Sequence, residues 1–341
     1  MDKVRFGKTN FMVSRVAFGG IPIMRLGMDD AVKVVRDVIG MGVNFLDTAH
    51  VYVDSEEKIG KAIKGINRDS LIIASKSGSF DKNGFNADLD QCLKRLGADH
   101  VDLYQHHNIA SKEIKDKVFG PGGAYEAMES AIKAGKVRFA AFSSHNSEVA
   151  CQVMKTGHFA SVQLPFNFLE TSPEKEAIHL AKQLDMGFIA MKPMGGGMFD
   201  DAGLAFRYLL QFDNVIPDPG IEKSEEMRQI VGIVEANKAL DDADKAKIAK
   251  IRAEIGSEWC HRCNYCQPCP QGIDISACLM AKSSCKRFTP DRARSMVGDN
   301  IEKARTCLEC GECMTRCPYG LKIPELLKKN IAWWDENFKN K

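Results

Sequence analysis

Residues 44–52 read Asn44-Phe45-Leu46-Asp47-Thr48-Ala49-His50-Val51-Tyr52, and their reading decides the fold. The stretch opens as an apolar strand, Asn44 to Leu46. It closes as a polar loop that carries a carboxylate, Asp47, and a phenol, Tyr52. A helix-like run, Ser55 to Lys64, follows at once. An acid at the carboxyl end of a strand, with a second titratable group a few residues on, is how a parallel α/β barrel builds a site. A loop capped by Asp47 with a packed Tyr52 would look the same in isolation, so the flanking segments have to decide.

Working outward, the strand-then-helix unit recurs. Upstream, Val4 to Val16 turns at Gly7-Lys8-Thr9-Asn10 as a small hairpin. Strand Arg15 to Gly19 then precedes a helix that Asp29 or Asp30 caps and Gly42 stops. Downstream, strand Leu71 to Lys76 leads to helix Ala87 to Leu96, with Asn86 as its cap. Strand Val101 to His107 leads to Ala124 to Ala134, and Phe139 to His145 leads to Ser147 to Thr156. Strand Ser161 to Asn167 runs to a helix started by Ser172 and Pro173. Gly187 to Pro193 and Asn214 to Pro217 lead to Leu204 to Gln211 and Glu225 to Asn237. Eight such units predict a closed parallel TIM (β/α)8 barrel. No Gly-x-Gly-x-x-Gly follows the first strand, so an open dinucleotide-binding sheet loses its main support.

A chain of 341 residues with 44% hydrophobic content has ample core for that barrel. A net charge of +2 argues against a nucleic-acid binder or a membrane-surface protein. The opening Met-Asp-Lys-Val-Arg-Phe-Gly-Lys has no apolar run behind it, and no window approaches a spanning helix, so the expectation is a soluble cytoplasmic protein. Of 12 cysteines, only Cys92 and Cys151 precede residue 260. That shift sets the domain expectation: barrel over 1–240, a charged helical linker over 241–256 (helix Asp242 to Ile255), and a small cysteine-rich helical domain over 257–341. Without a secretory signal, metal ligation is the better expectation for these thiols than disulfides.

Lys76 and His107 close the third and fourth strands, so a barrel brings them to the mouth that holds Asp47 and Tyr52. A free phenol is a poor acid at neutral pH. A neighbouring ammonium favours the phenolate, and a carboxylate keeps that ammonium charged and aimed. A histidine on the facing strand end can orient a carbonyl oxygen. His106 and His107 point to opposite faces of their strand, so only one of them reaches the mouth.

Over most of Met1 to about Lys238 the sequence resembles the aldo/keto reductase family. The resemblance rests on Phe45-Leu46-Asp47-Thr48-Ala49 with Tyr52, the strand-end Lys76, and Asp102-Leu103-Tyr104 followed by His107. It also rests on Gly135-Lys136-Val137-Arg138 leading to Ser143-Ser144. It implies hydride transfer from a nicotinamide, NADP(H) or NAD(H), to a small carbonyl substrate. In that reading Tyr52 is the proton donor, Lys76 and Asp47 tune it, and His107 orients the substrate. Ser143, Ser144 and Gln163 would contact the carboxamide, and Met191 stands where the family commonly stacks a tyrosine. Ala141 replaces a usual glycine. Gly195, Gly196, Gly197, Gly220 and Ser224 would cradle the diphosphate, and Glu226 falls near where NADP-preferring relatives often carry an arginine.

The cysteine arrays are Cys260-x2-Cys263-x2-Cys266-x2-Cys269-Pro270 and Cys307-x2-Cys310-x2-Cys313-x3-Cys317-Pro318. They resemble a two-cluster ferredoxin, in which three closely spaced thiolates hold one cube and the remote fourth serves the other. Cys260, Cys263, Cys266 and Cys317 are thus expected at one [4Fe-4S] cluster; Cys307, Cys310, Cys313 and Cys269 at the second. The shorter final spacing of the first array leaves local ligation by Cys269 open, and two four-thiolate zinc sites are the alternative. Cys278 and Cys285 are expected to pack. Lys286, Arg287, Arg292, Arg294, Lys303 and Arg305 would form a face for an acidic, ferredoxin-type electron carrier. The expected function is an iron-sulfur oxidoreductase that reduces an aldehyde or ketone, its clusters passing electrons or stapling the domain. The alternative is a redox sensor that binds dinucleotide and clusters without turnover.

Overall fold

The computed structural model describes residues 1–262, 265–317 and 319–338. Its described residues divide into two compact units, Met1–Met194 with Asp201–Leu240, and Gly195–Asp200 with Asp241–Lys341.

The first unit begins with an antiparallel hairpin, β1 (Lys3–Arg5) and β2 (Met12–Ser14). Eight parallel strands follow: β3 (Phe18–Gly19), β4 (Phe45–Asp47), β5 (Ile72–Ser77), β6 (Val101–His106), β7 (Val137–Ser143), β8 (Ser161–Pro165), β9 (Gly187–Met191) and β10 (Val215–Asp218). Each pairs with its sequence neighbour. The sheet's two edges then meet, because the amides of Ala17 and Gly19 donate to the carbonyls of Pro217 and Pro219 at 2.9 Å. This is the expected eight-stranded parallel barrel.

Strand alternation sorts the barrel interior into layers. Phe45, Ile72, Ala74, Leu103, Ala141, Ile189 and Ile216 form an apolar plug with Phe6 and Phe11 of the hairpin. Two residues further along the same strands stand Asp47, Lys76, Gln105 and Asp218, all buried. The plug needs a glycine at Gly187, since a Cβ there would lie 2.2 Å from the Phe6 ring.

Helix starts follow local capping chemistry. The helix before β6 spans Lys82–Leu96, not Ala87 onward from an Asn86 cap, because the Asp81 carboxylate accepts from the amides of Asn83 and Gly84. The first long helix, Met28–Gly40, starts after Gly27, so Asp29 and Asp30 lie in its first turn and not at its cap. A helix not anticipated from the pattern, Lys112–Phe119, starts where Ser111 accepts from the Ile114 amide.

The second unit is helical: Asp242–Ile255, Ile275–Leu279, Ala281–Arg287, Pro290–Ala304, Glu312–Arg316 and Ile323–Asn337. Its core gathers Ile275, Cys278, Val297, Ile301, Leu327 and Trp334. Among the described residues no helix is long and apolar enough to cross a membrane.

His106 faces outward from the barrel interior, its ring 5.1 Å from that of Phe85 and 5.8 Å from that of Phe159. Both ring nitrogens are buried without a partner among the described residues. Burial holds its pKa down at about 3. Below its ordinary pKa the unfolded chain takes a proton that the native chain refuses, so native stability falls with pH across that window. His106→Phe should remove a loss of about 1.4 kcal/mol per pH unit between about pH 6.5 and pH 4. Urea denaturation at a series of pH values would show a flatter profile for the variant.

Candidate functional site

The polar layer of the barrel is built around one buried ion pair. Lys76 Nζ lies 2.5 Å from Asp47 Oδ2 and donates to the Thr48 carbonyl at 2.7 Å. Asp47 also accepts from Gln105 Nε2 on Oδ1 at 3.1 Å and from Gln163 Nε2 on Oδ2 at 3.3 Å. Gln163 Nε2 reaches further, to Asp218 Oδ2 at 2.9 Å. Five strands, β4, β5, β6, β8 and β10, therefore contribute to a single network.

Burial works against the Lys76 ammonium, but the charges of Asp47, Tyr52 and Asp218 together with the bond to Asp47 outweigh it, and its pKa is raised. Lys76 stays a cation. Its Nζ stands 5.3 Å from the centre of the buried Tyr52 ring. The His107 ring meets Tyr52 edge-on, centre to centre 5.9 Å. Desolvation, and then the Lys76 charge, lowers the His107 pKa to about 3, so its imidazole is neutral and keeps one N–H to donate. For Asp218, burial first and the Asp47 charge second push the carboxyl well above its usual range.

Asp47, Tyr52, Lys76 and His107 thus share one mouth, with a cation, a phenol and a neutral imidazole side by side. Such a group can bind a carbonyl oxygen and deliver a proton to it. Gln105 and Asp218 were not anticipated from the sequence. Their signal was available: Leu103 to Gln105 and Ile216 to Asp218 repeat the Ala74 to Lys76 step, apolar then polar on the same strand face.

The expected cofactor contacts are distributed as follows. Ser143 Oγ accepts from the Asn108 amide at 3.0 Å, and Ser144 Oγ exchanges hydrogen bonds with the Asn146 backbone. Met191 ends β9, in register with Asp218. Gly220 faces the Pro22 ring, 2.7 Å from where its Cβ would stand, so that side is closed. Ser224 donates to Asp37 at 2.6 Å. Glu226 is committed to its own helix start, accepting from the amides of Glu222 and Lys223. Gly195, Gly196 and Gly197 lie in the second unit, all with left-handed backbone, and Lys286 Nζ donates to the Gly197 carbonyl at 2.9 Å. Gln163 Oε1 is buried without a partner among the described residues, an acceptor ready for an amide N–H.

In the second unit Cys269, Cys307, Cys310 and Cys313 line one cavity of about 240 Å3, walled otherwise mainly by prolines and aliphatic side chains. One thiol of the first array thus joins three of the second. For the other set, His261 stacks on Tyr319 at 3.8 Å, bringing the chain beside Cys260 to the chain beside Cys317. Cys263 and the Arg287 side chain lie outside the described residues. Cys278 donates to the Asn300 carbonyl at 3.1 Å, and burial pushes its thiol up to about 12.

A model of the Aldo/keto reductase family matches residues 15–204. The chain is 30% identical over 208 residues to the aldo-keto reductase str7 of Strobilurus tenacellus, covering 55% of this chain and 60% of that one. It is 27% identical over 236 residues to the oxidoreductase YrpG of Bacillus subtilis, covering 60% and 70%. These matches thus span about 60–70% of the length of those relatives. Among solved structures, an aldo-keto reductase of Klebsiella pneumoniae in complex with NADPH superposes with a TM-score of 0.63 at 21% identity, over 73% of this chain and 94% of that one. The holo form of AKR11C1 from Bacillus halodurans gives 0.62 at 23%, over 74% and 96%.

The ion pair yields a stability prediction. Lys76→Met strands the Asp47 carboxylate in the barrel and should cost about 3–5 kcal/mol, whereas Lys76→Met with Asp47→Leu should recover most of it. The single variant's loss should be larger at alkaline than at acid pH, since a stranded carboxyl escapes by taking a proton. Chemical denaturation of the three proteins at two pH values measures both effects.

Proposed function

Because this chain belongs to the aldo/keto reductase family of oxidoreductases, we propose that it reduces a small aldehyde or ketone with NADPH or NADH, Tyr52 giving the proton. What carries the reading is the Lys76 ammonium, 2.5 Å from Asp47 Oδ2 and 5.3 Å from the Tyr52 ring centre, with neutral His107 on that ring's edge. The reduced nicotinamide, when bound, supplies the hydride that adds to the carbonyl carbon. Gln163 fits its carboxamide, because the buried Oε1 would accept from the amide N–H.

The protein's part is then electrostatic. Tyr52 and His107 donate hydrogen bonds to the carbonyl oxygen and polarise it. As negative charge gathers on that oxygen, the Tyr52 proton moves to it. Lys76 stabilises the phenolate left behind, and Asp47 holds Lys76 in place and charged. Tyr52→Phe should lower turnover by about 10²–10⁴-fold while nucleotide affinity stays within about twofold. The check is NADPH and NADH oxidation with a panel of aldehydes beside a direct binding titration; a variant that turns over at the parent rate would remove Tyr52 from the acid role.

The same reading assigns two [4Fe-4S] clusters to the second unit. Cys269, Cys307, Cys310 and Cys313 would hold one; all four line a single cavity, and among the described residues no three His, Cys, Asp or Glu side chains are already gathered as metal ligands. Cys260, Cys266 and Cys317, with Cys263, would hold the other. Bound clusters supply single-electron steps or a structural staple. The basic face retains less free charge than its composition suggests, because Arg305 pairs with Glu302 and Asp335, and Arg294 with Asp291. A ferredoxin-type carrier is therefore a secondary part of the reading.

Cross-ligation by Cys269 has a direct check in anaerobic iron and sulfide content. Cys269→Ala and Cys310→Ala should each lose about half of the iron, and the double variant no more than either. Local ligation by Cys269 would instead make the two losses add.

A further inference from the structure

Asp218 ends β10 inside the barrel, 7% exposed, and none of the roles assigned so far uses it. Its Oδ2 accepts from Gln163 Nε2 at 2.9 Å, the shortest contact that amide makes. Its Oδ1 has no partner among the described residues and sits against Gly19, where a Cβ would come within 3.1 Å. A Cβ at position 19 would also come within 3.2 Å of the Gly220 amide nitrogen and the Pro219 carbonyl carbon, so glycine there admits both the carboxyl and the close approach of β3 to the chain after β10.

The consequence falls on Gln163. An amide side chain is nearly symmetric in shape and takes its orientation from its hydrogen bonds. With Nε2 drawn to Asp218 Oδ2 and Asp47 Oδ2, Oε1 is the atom left over. It is the buried acceptor without a partner. Were the amide reversed, its oxygen would face the carboxyl oxygens of Asp47 and Asp218, and its NH2 would take the place of the free acceptor.

Resting on the dinucleotide reading above, we propose that Asp218 is a positioning residue: its Oδ2 locks the Gln163 amide so that Oε1 accepts from the nicotinamide carboxamide. Through the same amide it ties the cofactor's ring to the Asp47–Lys76 pair that tunes Tyr52. Asp218 itself touches neither cofactor nor substrate. Its contribution is to make the site recognise a carboxamide.

The test compares NADP+ and NAD+ with their 3-acetylpyridine analogues, which replace the carboxamide by a methyl ketone without an N–H. Dissociation constants are measured by titration of the full-length protein. Wild type should bind the carboxamide form about 10-fold more tightly than the analogue. Asp218→Asn, whose oxygen can still accept from Gln163, should keep that ratio within about twofold. Asp218→Leu should bring it to within about twofold of unity by releasing the amide, with adenine-side affinity, probed by 2',5'-ADP and by ADP-ribose, unchanged. Should Asp218→Leu fail to fold, Asp218→Ala carries the same comparison.

An unchanged ratio in the Leu or Ala variant overturns the proposal, as does an equal loss in Asp218→Asn. If wild type binds both members of each pair equally, Asp218 loses its role while the dinucleotide reading stands. If wild type binds none of them, that reading falls and this proposal falls with it.

Discussion

The ion pair between Lys76 and Asp47 is the constraint that the rest of the barrel answers to. Two opposite charges with almost no exposure are expensive to remove from water, and their mutual attraction offsets the cost only when the remaining hydrogen-bonding capacity is also met. The structure meets it with Thr48 O on the lysine and with the amides of Gln105 and Gln163 on the carboxylate. Those partners come from different strands, so the pair exists only when the barrel has closed. A charged lysine 5.3 Å from the centre of the buried Tyr52 ring favours the phenolate form of that side chain.

Closure depends on the opposite end of the barrel. Phe6 and Phe11 of the hairpin plug the apolar layer, and the chain gives up a side chain at Gly187 to admit the Phe6 ring. The apolar plug and the polar mouth are only two residues apart along each strand. That short distance explains why strand ends as different as Lys76, Gln105 and Asp218 follow Ala74, Leu103 and Ile216 on the same face. The apolar layer and the charged layer thus occupy successive levels of the barrel interior.

The second unit solves a different problem. Its core is modest, and its cysteines occupy positions that aliphatic residues would otherwise fill. The cavity lined by Cys269, Cys307, Cys310 and Cys313 mixes thiols from runs about forty residues apart in sequence. The helix Pro290–Ala304 and the segment ahead of it bring them together.

Much of this protein was legible before any coordinates. Period-two strands followed by capped helices determine the eight-fold barrel, because each strand face must be either covered by a helix or turned into the interior. Strand-end chemistry marks Asp47, Lys76 and His107, and the cysteine spacings mark the second unit. Helix starts at Asp81 and Ser111 were also written in the sequence, but they depend on which of several polar residues wins the cap. Only tertiary structure decides which groups become neighbours. Asp218 lies 171 residues from Asp47 in the chain and meets it because β10 returns to β3; its hold on Gln163 and the acceptor left bare beside them are properties of that closure, and no local pattern carries them.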